Sequence, residues 1–186
     1  MGLPEREVKV RIECRLLHPL RSDLEKLGFK CKGPIAETDI YYSHPCKDFI
    51  ESDEALRLRF ISERVAKLTY KGPRRFLGKN VKEREEIEIE VGNPAALESI
   101  LSKLGFKPAL RVEKSRTYCN KDDITVTLDR VEGLGCFLEV EAPDETTIDE
   151  VLESVGLSNA EKIELTYAEM IGGFKAGKRT ASIEES

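Results

Sequence analysis

Acidic and basic side chains alternate with aliphatic ones along several short segments of this 186-residue chain. The first such segment contains Glu5, Glu7 and Lys9, with Val8 and Val10 among the alternate positions. Side chains two residues apart lie on the same face of a β-strand, so these three charged groups are expected to share one face. Carboxylates bind hard divalent cations, and cationic side chains bind the oxygens of anions. Chemistry on an anionic ligand is therefore the first hypothesis for this face.

The same alternation recurs in later segments, and the charged faces there carry both signs. The basic members are Arg57, Arg59, Lys67, Lys71, Lys82 and Arg84, and the acidic members are Glu86, Glu88, Asp129, Glu139 and Glu141. The segment around Lys114 and Arg116 follows the rule less well, because its other face is also polar. An open antiparallel sheet with one solvated face would explain simple alternation. The density and mixed signs of the charges favour a different arrangement.

A closed sheet would place these charges inside, while helices cover the aliphatic outer face. About eight strands enclose room for side chains and one small ligand. Buried charges are unfavourable unless they are paired, bound to metal or matched to a charged ligand. We therefore predict an α+β fold, a closed antiparallel eight-stranded β-barrel with helices packed outside, that holds an anionic ligand with a divalent metal. For Glu86 and Glu88, an ion pair with a neighbouring cation explains the residue as well as metal binding does.

Four helices are predicted from apolar residues at helical spacing and from end signals, at 19–27, 93–104, 147–155 and 160–171. Asn93 and Pro94 are typical of a helix N-cap and first helical position. The heptapeptides 24–30 (LEKLGFK) and 101–107 (LSKLGFK) end the first two helices alike. This similarity suggests a duplication of strand–helix–strand units. The alternative is that the shared sequence is only a common helix ending.

Composition narrows the class of protein further. The net charge of −5 argues against a general nucleic-acid binder, which usually carries a basic excess. No signal peptide and no apolar run of about 18 residues is present, so we expect a cytoplasmic protein without membrane contact. Five cysteines at wide spacing, with no Cys-x-x-Cys pair, fit reduced thiols better than a disulfide scaffold or zinc site. We expect one domain over 1–172 and a loose tail over 173–186.

Motifs in the same order along the chain resemble those of the CYTH superfamily, which groups class IV adenylyl cyclases with thiamine and inorganic triphosphatases. The motifs are Glu5-x-Glu7-x-Lys9, Asp39-x-Tyr41-Tyr42, Ala55-Leu56-Arg57-Leu58-Arg59, Leu68-Thr69-Tyr70-Lys71-Gly72-Pro73, Arg84-Glu85-Glu86-Ile87-Glu88, Lys114-Ser115-Arg116, Leu128-Asp129 and 134–141. The resemblance runs from about Glu5 to Ile171. The block that begins at Leu68 is similar to the class IV cyclase branch.

The resemblance implies a triphosphate tunnel, a closed barrel whose charged interior holds the substrate. It implies ligands for Mg²⁺ or Mn²⁺ at Glu5, Glu7, Asp129, Glu139 and Glu141. It implies triphosphate binding by Lys9, Arg57, Arg59, Lys71, Arg84, Lys114 and Arg116, with Lys9, Lys71 and Arg116 also in catalysis. Arg74, Arg75 and Lys79 lie on a connection with Gly and Pro, where we expect solvated charges rather than anion capture at the tunnel mouth.

The first function implied is a class IV adenylyl cyclase-like enzyme that converts ATP to cyclic AMP and pyrophosphate. The alternative is a metal-dependent triphosphatase acting on tripolyphosphate, thiamine triphosphate or a nucleoside triphosphate. A module that binds polyphosphate or nucleotide without turnover is the third reading. The expected partner is a small-molecule triphosphate, not nucleic acid or membrane, and a homodimer is left open.

Overall fold

The structure, a computed structural model, describes residues 5–62, 65–77 and 81–173. Its strands are β1 (Glu5–Ile12), β2 (Lys30–Ser43), β3 (Ala55–Phe60), β4 (Ala66–Lys71), β5 (Arg75–Leu77), β6 (Val81–Arg84), β7 (Glu86–Val91), β8 (Lys107–Lys121), β9 (Ile124–Val131) and β10 (Gly135–Ala142). Its helices are α1 (Leu17–Lys26), α2 (Pro94–Lys103), α3 (Glu145–Ser154) and α4 (Tyr167–Gly172), and a 3-10 turn, Cys14–Leu16, precedes α1. The predicted tail from 174 onward lies outside the described residues.

The predicted ends of the first two helices are confirmed in detail. Gly28 and Gly105 have φ values of 90° and 91°, a conformation that glycine adopts without strain. The amide that follows each glycine donates back across the helix end, from Phe29 to Leu24 O and from Phe106 to Leu101 O, at 3.0 Å in both cases. At the start of α2, the Asn93 side chain accepts from Ala96 N at 3.1 Å, as expected for an N-cap.

The fourth predicted helix starts too early in the sequence. The chain around 160–166 runs beside β1 instead, where Lys162 forms a bridge with Val10 and Ile163 N donates to Lys9 O at 2.7 Å. The helix begins only after Thr166, whose side chain and that of Glu169 cap it reciprocally. Within the described ranges, no helix has the length and apolar character needed to cross a membrane.

The sheet order supports an internal duplication. Its eight central strands run β1-β10-β9-β8-β2-β3-β4-β7, and neighbouring strands pair antiparallel. The unit β1-α1-β2-β3-β4 and the unit β7-α2-β8-β9-β10 therefore occupy equivalent positions, with β2 and β8 paired at the centre. The predicted eight antiparallel strands with helices are confirmed, and the β5–β6 hairpin extends them beside β1.

The predicted closure of the barrel is not found. The hydrogen-bonded sheet begins at β5 and ends at β7, and no ladder joins β6 to β7 among the described strands. Only Glu85 separates these two strands, although β6 pairs with β1 and β7 pairs with β4. The chain over 81–91 thus joins the two sides of the curled sheet covalently. A closed barrel would need a hydrogen-bond ladder at that place.

Helices cover the aliphatic face of the sheet, as the alternation predicted. Val8, Val10 and Leu138 are at most 1% exposed and belong to one apolar cluster. Leu24 from α1 and Ile148 from α3 join the same cluster. Because the aliphatic side chains point outward into this core, the charged side chains of the same strands point to the opposite, concave side.

The cysteines correct the expectation of free thiols. Cys14 is bonded to Cys136 and Cys31 to Cys119, which leaves Cys46 as a free and exposed thiol. Cys31 and Cys119 lie directly opposite each other on β2 and β8, so the pairing depends on sheet register rather than on sequence spacing. Disulfides are rare in the cytosol of most organisms but common in intracellular proteins of hyperthermophiles.

We expect loss of either disulfide to lower the free energy of unfolding by about 2–5 kcal/mol, because each bond constrains a long loop of the unfolded chain. The measurement is urea unfolding of the Cys14→Ser/Cys136→Ser and Cys31→Ser/Cys119→Ser double variants, without reductant. Cys46→Ser is the matched control and should leave the midpoint unchanged. Titration of five reactive thiols in the denatured, unreduced wild-type protein would contradict the pairing.

Candidate active site

The concave side of the sheet encloses a cavity of about 1110 Å³. Its charged lining includes Glu7, Lys9, Glu37, Asp39, Arg57, Arg59, Lys67, Lys71, Arg84, Glu86, Glu88, Arg116, Glu139 and Glu141, together with Arg74 and Glu169 near α4 and Lys47, Asp48, Asp53 and Glu54 in the β2–β3 loop. The structure thus brings most of the predicted site residues together around one space. Lys114 and Asp129 are buried behind the described lining, and the side chain of Glu5 lies outside what the structure describes.

Carboxylates from adjacent strands face each other at one part of the cavity. Glu7 on β1 lies directly opposite Glu141 on β10, and Lys9 lies opposite Glu139. Like charges at directly opposed positions repel each other, and a cation shared between them offsets that repulsion. Mg²⁺ and Mn²⁺ prefer such oxygen ligands, and Mg²⁺ commonly takes one or two carboxylates with water and phosphate oxygens. Within the described ranges, no group of three or more His, Cys, Asp or Glu side chains is placed so that it could hold a metal ion.

Lys9 is held firmly in the wall of the cavity. Its Nζ lies 3.1 Å from Glu139 Oε1 and 3.1 Å from Leu165 O, and it stands 4.3 Å from the centre of the Tyr167 ring. Only 3% of the residue is exposed. Burial alone would raise the pKa of Glu139, but the charges of Lys9 and Arg116 lower it well below its ordinary value. Glu139 is therefore a carboxylate anchored between two cations.

Asp129 orients Arg116 from behind the cavity wall. Arg116 Nε donates to Asp129 Oδ1 at 2.6 Å, and Arg116 Nη2 donates to Glu139 Oε2 at 2.6 Å. Tyr167, at the start of α4, donates its hydroxyl to Asp129 Oδ2 at 2.7 Å. Asp129 is fully buried. This geometry gives Asp129 a positioning role toward Arg116, and its binding to metal stays a prediction.

A second buried network surrounds Asp39 on β2. Arg59 binds its carboxylate with both Nε and Nη2, at 2.7 and 2.9 Å, and Lys114 Nζ donates to Oδ2 at 2.5 Å. Burial alone would raise the pKa of Asp39, but hydrogen bonds and charge from Arg59 lower it well below its ordinary value. Burial, together with the charge of Arg59, lowers the pKa of Lys114 to about 8. Arg59 and Lys114, predicted to hold phosphate, are thus already paired with Asp39 and Glu37.

Arg57 is the cation best prepared for an anion. Its Nη2 donates to Thr69 Oγ1 at 3.0 Å and lies 3.7 Å from Glu88 Oε2. Its buried Nε has no hydrogen-bond partner among the described residues. A buried donor without a partner is unfavourable by about 1–3 kcal/mol, so a bound anion would remove a real penalty.

The remaining predicted cations already have partners within the protein. Lys71 pairs with Glu86, and Lys67 lies 2.7 Å from Glu88, so the ion-pair explanation fits both of these acids. Burial, followed by the charge of Arg57, lowers the pKa of Lys71. Arg84 donates to two backbone carbonyls, Gly72 O at 2.9 Å and Asp53 O at 3.2 Å, which is a structural use of its guanidinium.

Arg74 is not the solvated loop charge that we predicted. Its side chain is only 7% exposed, and it binds Glu169 on α4 with two hydrogen bonds of 2.9 and 2.8 Å. Its Nε also donates to Asp53 Oδ1 at 2.9 Å. Arg74 therefore joins α4 to the loop before β3 at the edge of the cavity. Arg75 is exposed, as expected, and Lys79 lies outside the described residues.

Sequence reasoning missed several residues that organise the site. Glu37 and Asp39 lie on the cavity face of β2. They stand four and two residues before Tyr41 on the same face, and this spacing was a usable signal. Tyr167 and Glu169 had no such signal, because their partners lie 38 and 95 residues away in sequence.

Comparison with known proteins agrees with this geometry. Residues 3–167 match the family model described as the CYTH domain. The chain belongs to the CYTH family. A Methanocaldococcus jannaschii protein of this kind, named "Putative adenylate cyclase MJ0240", is 37% identical over 177 residues, which cover 90% of this chain and 98% of that protein.

Solved structures share the CYTH fold of this chain. The PH1819 protein from Pyrococcus horikoshii is 32% identical, with a TM-score of 0.72 over 91% of this chain and 98% of that one. HpAC1 from Hippeastrum, described as a putative adenylyl cyclase with a dominant triphosphatase activity, has a TM-score of 0.67. That protein is 19% identical over 98% of this chain and all of its own, so the likeness extends to the fold alone.

The Asp39 network generates a stability prediction. We expect Asp39→Ala to lower the free energy of unfolding by about 3–5 kcal/mol, because it removes a shared partner of Arg59 and Lys114 in the interior. Asp23→Ala is the matched control, since Asp23 forms an exposed ion pair with Lys26 worth at most about 1 kcal/mol. Denaturant unfolding of both variants provides the comparison. Equal losses of unfolding free energy in Asp39→Ala and Asp23→Ala would show that the Asp39 network does not stabilise the fold.

Proposed function

We propose that the protein is a class IV adenylyl cyclase-like enzyme that converts ATP to cyclic AMP and pyrophosphate with Mg²⁺ or Mn²⁺. The observation that carries the proposal is one cavity with opposed carboxylates on one side and a buried, incompletely bonded guanidinium on another. A metal-bound polyphosphate would contact both groups at once. The name of the Methanocaldococcus jannaschii relative supports cyclase as the first choice.

The chain's own groups have distinct tasks in this reaction. Glu7 and Glu141, with Glu5 and Glu139 as further candidates, would hold the metal, which supplies charge neutralisation and in-line alignment of the reacting oxygens. Arg57 and Lys9 bind phosphate oxygens as fixed cations. Arg116, held by Asp129, would stabilise the negative charge that develops on the leaving pyrophosphate.

Lys71 is the candidate proton acceptor. The 3′-hydroxyl of the ribose forms a bond to the α-phosphorus as the bond to the β-phosphate oxygen breaks, and the hydroxyl proton must leave. A lysine with a lowered pKa has a larger neutral fraction at working pH, and the neutral amine is the form that can accept a proton. Its neighbour Glu86 holds the ammonium group in place after transfer.

A triphosphatase is the second candidate; HpAC1, which shares the fold, is described as having a dominant triphosphatase activity. The same cations and carboxylates serve a water molecule that attacks the terminal phosphorus. The two reactions differ in whether a substrate hydroxyl or water is positioned for attack. A non-catalytic binding module is the third candidate, and it needs the cations but gives no role to the opposed carboxylates.

The product distribution separates these candidates. ATP, thiamine triphosphate and tripolyphosphate are each incubated with the protein under Mg²⁺ and under Mn²⁺, and the products are separated by chromatography. We expect cyclic AMP with equimolar pyrophosphate from ATP. Release of orthophosphate alone would contradict the cyclase assignment and support the triphosphatase. Ligand binding without any product would contradict both enzyme assignments.

Substitutions in the site test the assignment of roles. We expect Glu7→Ala, Glu5→Ala and Lys71→Ala each to lower turnover by at least about 10²–10³-fold, the scale for losing one electrostatic group. Circular dichroism should show an unchanged fold. Glu13→Ala, at an exposed position just after β1, is the matched control and should retain full activity. Undiminished turnover in all three site variants would refute this site.

A further inference from the structure

Two cations of the cavity are connected through a residue that lies outside their own strands. Lys9 is on β1 and Arg116 is on β8, and the strands β10 and β9 stand between them in the sheet. Tyr167, in the first turn of α4, reaches Lys9 with its ring and Arg116 through the partner of its hydroxyl. The two contacts use different parts of one side chain, so their effects can be separated.

The ring of Tyr167 contacts the ammonium group of Lys9. The distance from Lys9 Nζ to the ring centroid is 4.3 Å, and the same Nζ lies 3.1 Å from Leu165 O. A cation over an aromatic ring is attracted by the ring's quadrupole, most strongly where water is excluded. Because Lys9 is only 3% exposed, this contact between segment 165–167 and Lys9 holds the ammonium group in place.

The hydroxyl of Tyr167 acts on the second cation through Asp129. It donates to Asp129 Oδ2 at 2.7 Å, and Asp129 Oδ1 accepts from Arg116 Nε at 2.6 Å. Since Asp129 is fully buried, the hydroxyl points into the wall and not toward a ligand in the cavity. A carboxylate fixed by a further hydrogen bond holds its partner in one orientation, which is how outer partners support groups that bind ligands.

These contacts close into a ring of five side chains. In order around the ring they are Lys9, Glu139, Arg116, Asp129 and Tyr167, whose aromatic ring returns to Lys9. Without Tyr167, the chain of contacts would end at Lys9 on one side and at Asp129 on the other. The positions of both cations therefore depend on Tyr167.

The helix that carries Tyr167 is fixed by its own contacts within the protein. Thr166 and Glu169 cap α4 reciprocally, and Arg74 binds the Glu169 carboxylate at 2.9 and 2.8 Å. The rings of Tyr167 and Phe137 pack with their centroids 5.1 Å apart. A side chain that is locked by packing and hydrogen bonds can hold its neighbours in a productive geometry.

We propose that Tyr167 is a positioning residue for both cations. Its ring fixes Lys9 for phosphate binding, and its hydroxyl fixes Arg116, through Asp129, for the reaction step. This inference rests on the proposed function, which gives Lys9 and Arg116 those tasks. It adds a requirement for α4, because the cavity keeps both cations in place only while this helix is docked.

Two substitutions separate the hydroxyl from the ring. Tyr167→Phe keeps the ring, so we expect kcat to fall about tenfold, as for a slightly misplaced reacting group, while ligand binding stays within about threefold of wild type. Tyr167→Met removes both contacts but still fills apolar space, so we expect the dissociation constant to rise about tenfold as well. Tyr70→Phe is the matched control, because its hydroxyl donates to a different carboxylate, Glu54, and it should change neither quantity.

The measurements use the full chain with Mg²⁺. The turnover number kcat is measured on ATP and on tripolyphosphate. Binding is measured by calorimetry with an ATP analogue in which methylene groups replace both bridging oxygens of the phosphate chain. Circular dichroism checks the fold of each variant. If Tyr167→Met does not fold, Tyr167→Leu takes its place in the binding measurement, with the same expected result.

The outcomes separate this inference from the function on which it rests. Wild-type kcat in Tyr167→Phe, or wild-type binding in Tyr167→Met, would overturn the inference and leave the proposed function standing. A wild-type protein that neither binds the analogue nor turns over either substrate would overturn both. If wild type binds the analogue without turnover, the proposed enzyme is wrong, and unchanged binding in Tyr167→Met would still overturn the inference. A structural role alone would lower stability without separating the effect on kcat from that on binding.

Discussion

Charged side chains that point into the curled sheet need partners, and this requirement organises the rest of the structure. Asp39 accepts from both Arg59 and Lys114, and Asp129 binds Arg116. A buried charge without a partner destabilises a fold by several kcal/mol, whereas a fully paired one can be accommodated. The chain pairs most of its interior ions within itself, and it leaves a buried nitrogen of Arg57 without a partner in the described protein. That incomplete pairing is what makes an anionic ligand the natural complement of the cavity.

The duplicated architecture explains how one cavity acquires two kinds of lining. The strand pair β1–β10 brings Glu7 opposite Glu141, while the equivalent pair β7–β4 brings Glu86 opposite Lys71. The β1–β10 pair thus contains two opposed acids as well as the acid–base pair Glu139–Lys9, whereas the β7–β4 pair opposes an acid with a base. The opposed acids suit a divalent metal, and the acid–base pair holds Lys71 and Glu86 together at the cavity. The α4 helix adds to only one half, where Tyr167 reaches Asp129.

Much of this could be predicted from alternation, because side-chain parity along a strand decides which face a residue occupies. Parity placed Glu7, Lys9 and Arg57 on the cavity face, and helix end signals located α1 and α2. It could not give the register between strands, which decides that Cys31 meets Cys119 and that Asp39 meets Lys114. Nor could it predict that the chain before α4 runs along β1 as an extended segment. Those features depend on contacts between residues far apart in sequence.

The proposed function requires that Glu7 and Glu141 hold a divalent metal bound to a triphosphate on Arg57. The most direct measurement is the anomalous X-ray signal of Mn²⁺ in crystals grown with a non-hydrolysable triphosphate. We predict a manganese peak in contact with the Glu7 and Glu141 carboxylates, and phosphate oxygens within hydrogen-bond distance of Arg57. A manganese peak away from both carboxylates, or a triphosphate bound outside the cavity, would contradict it.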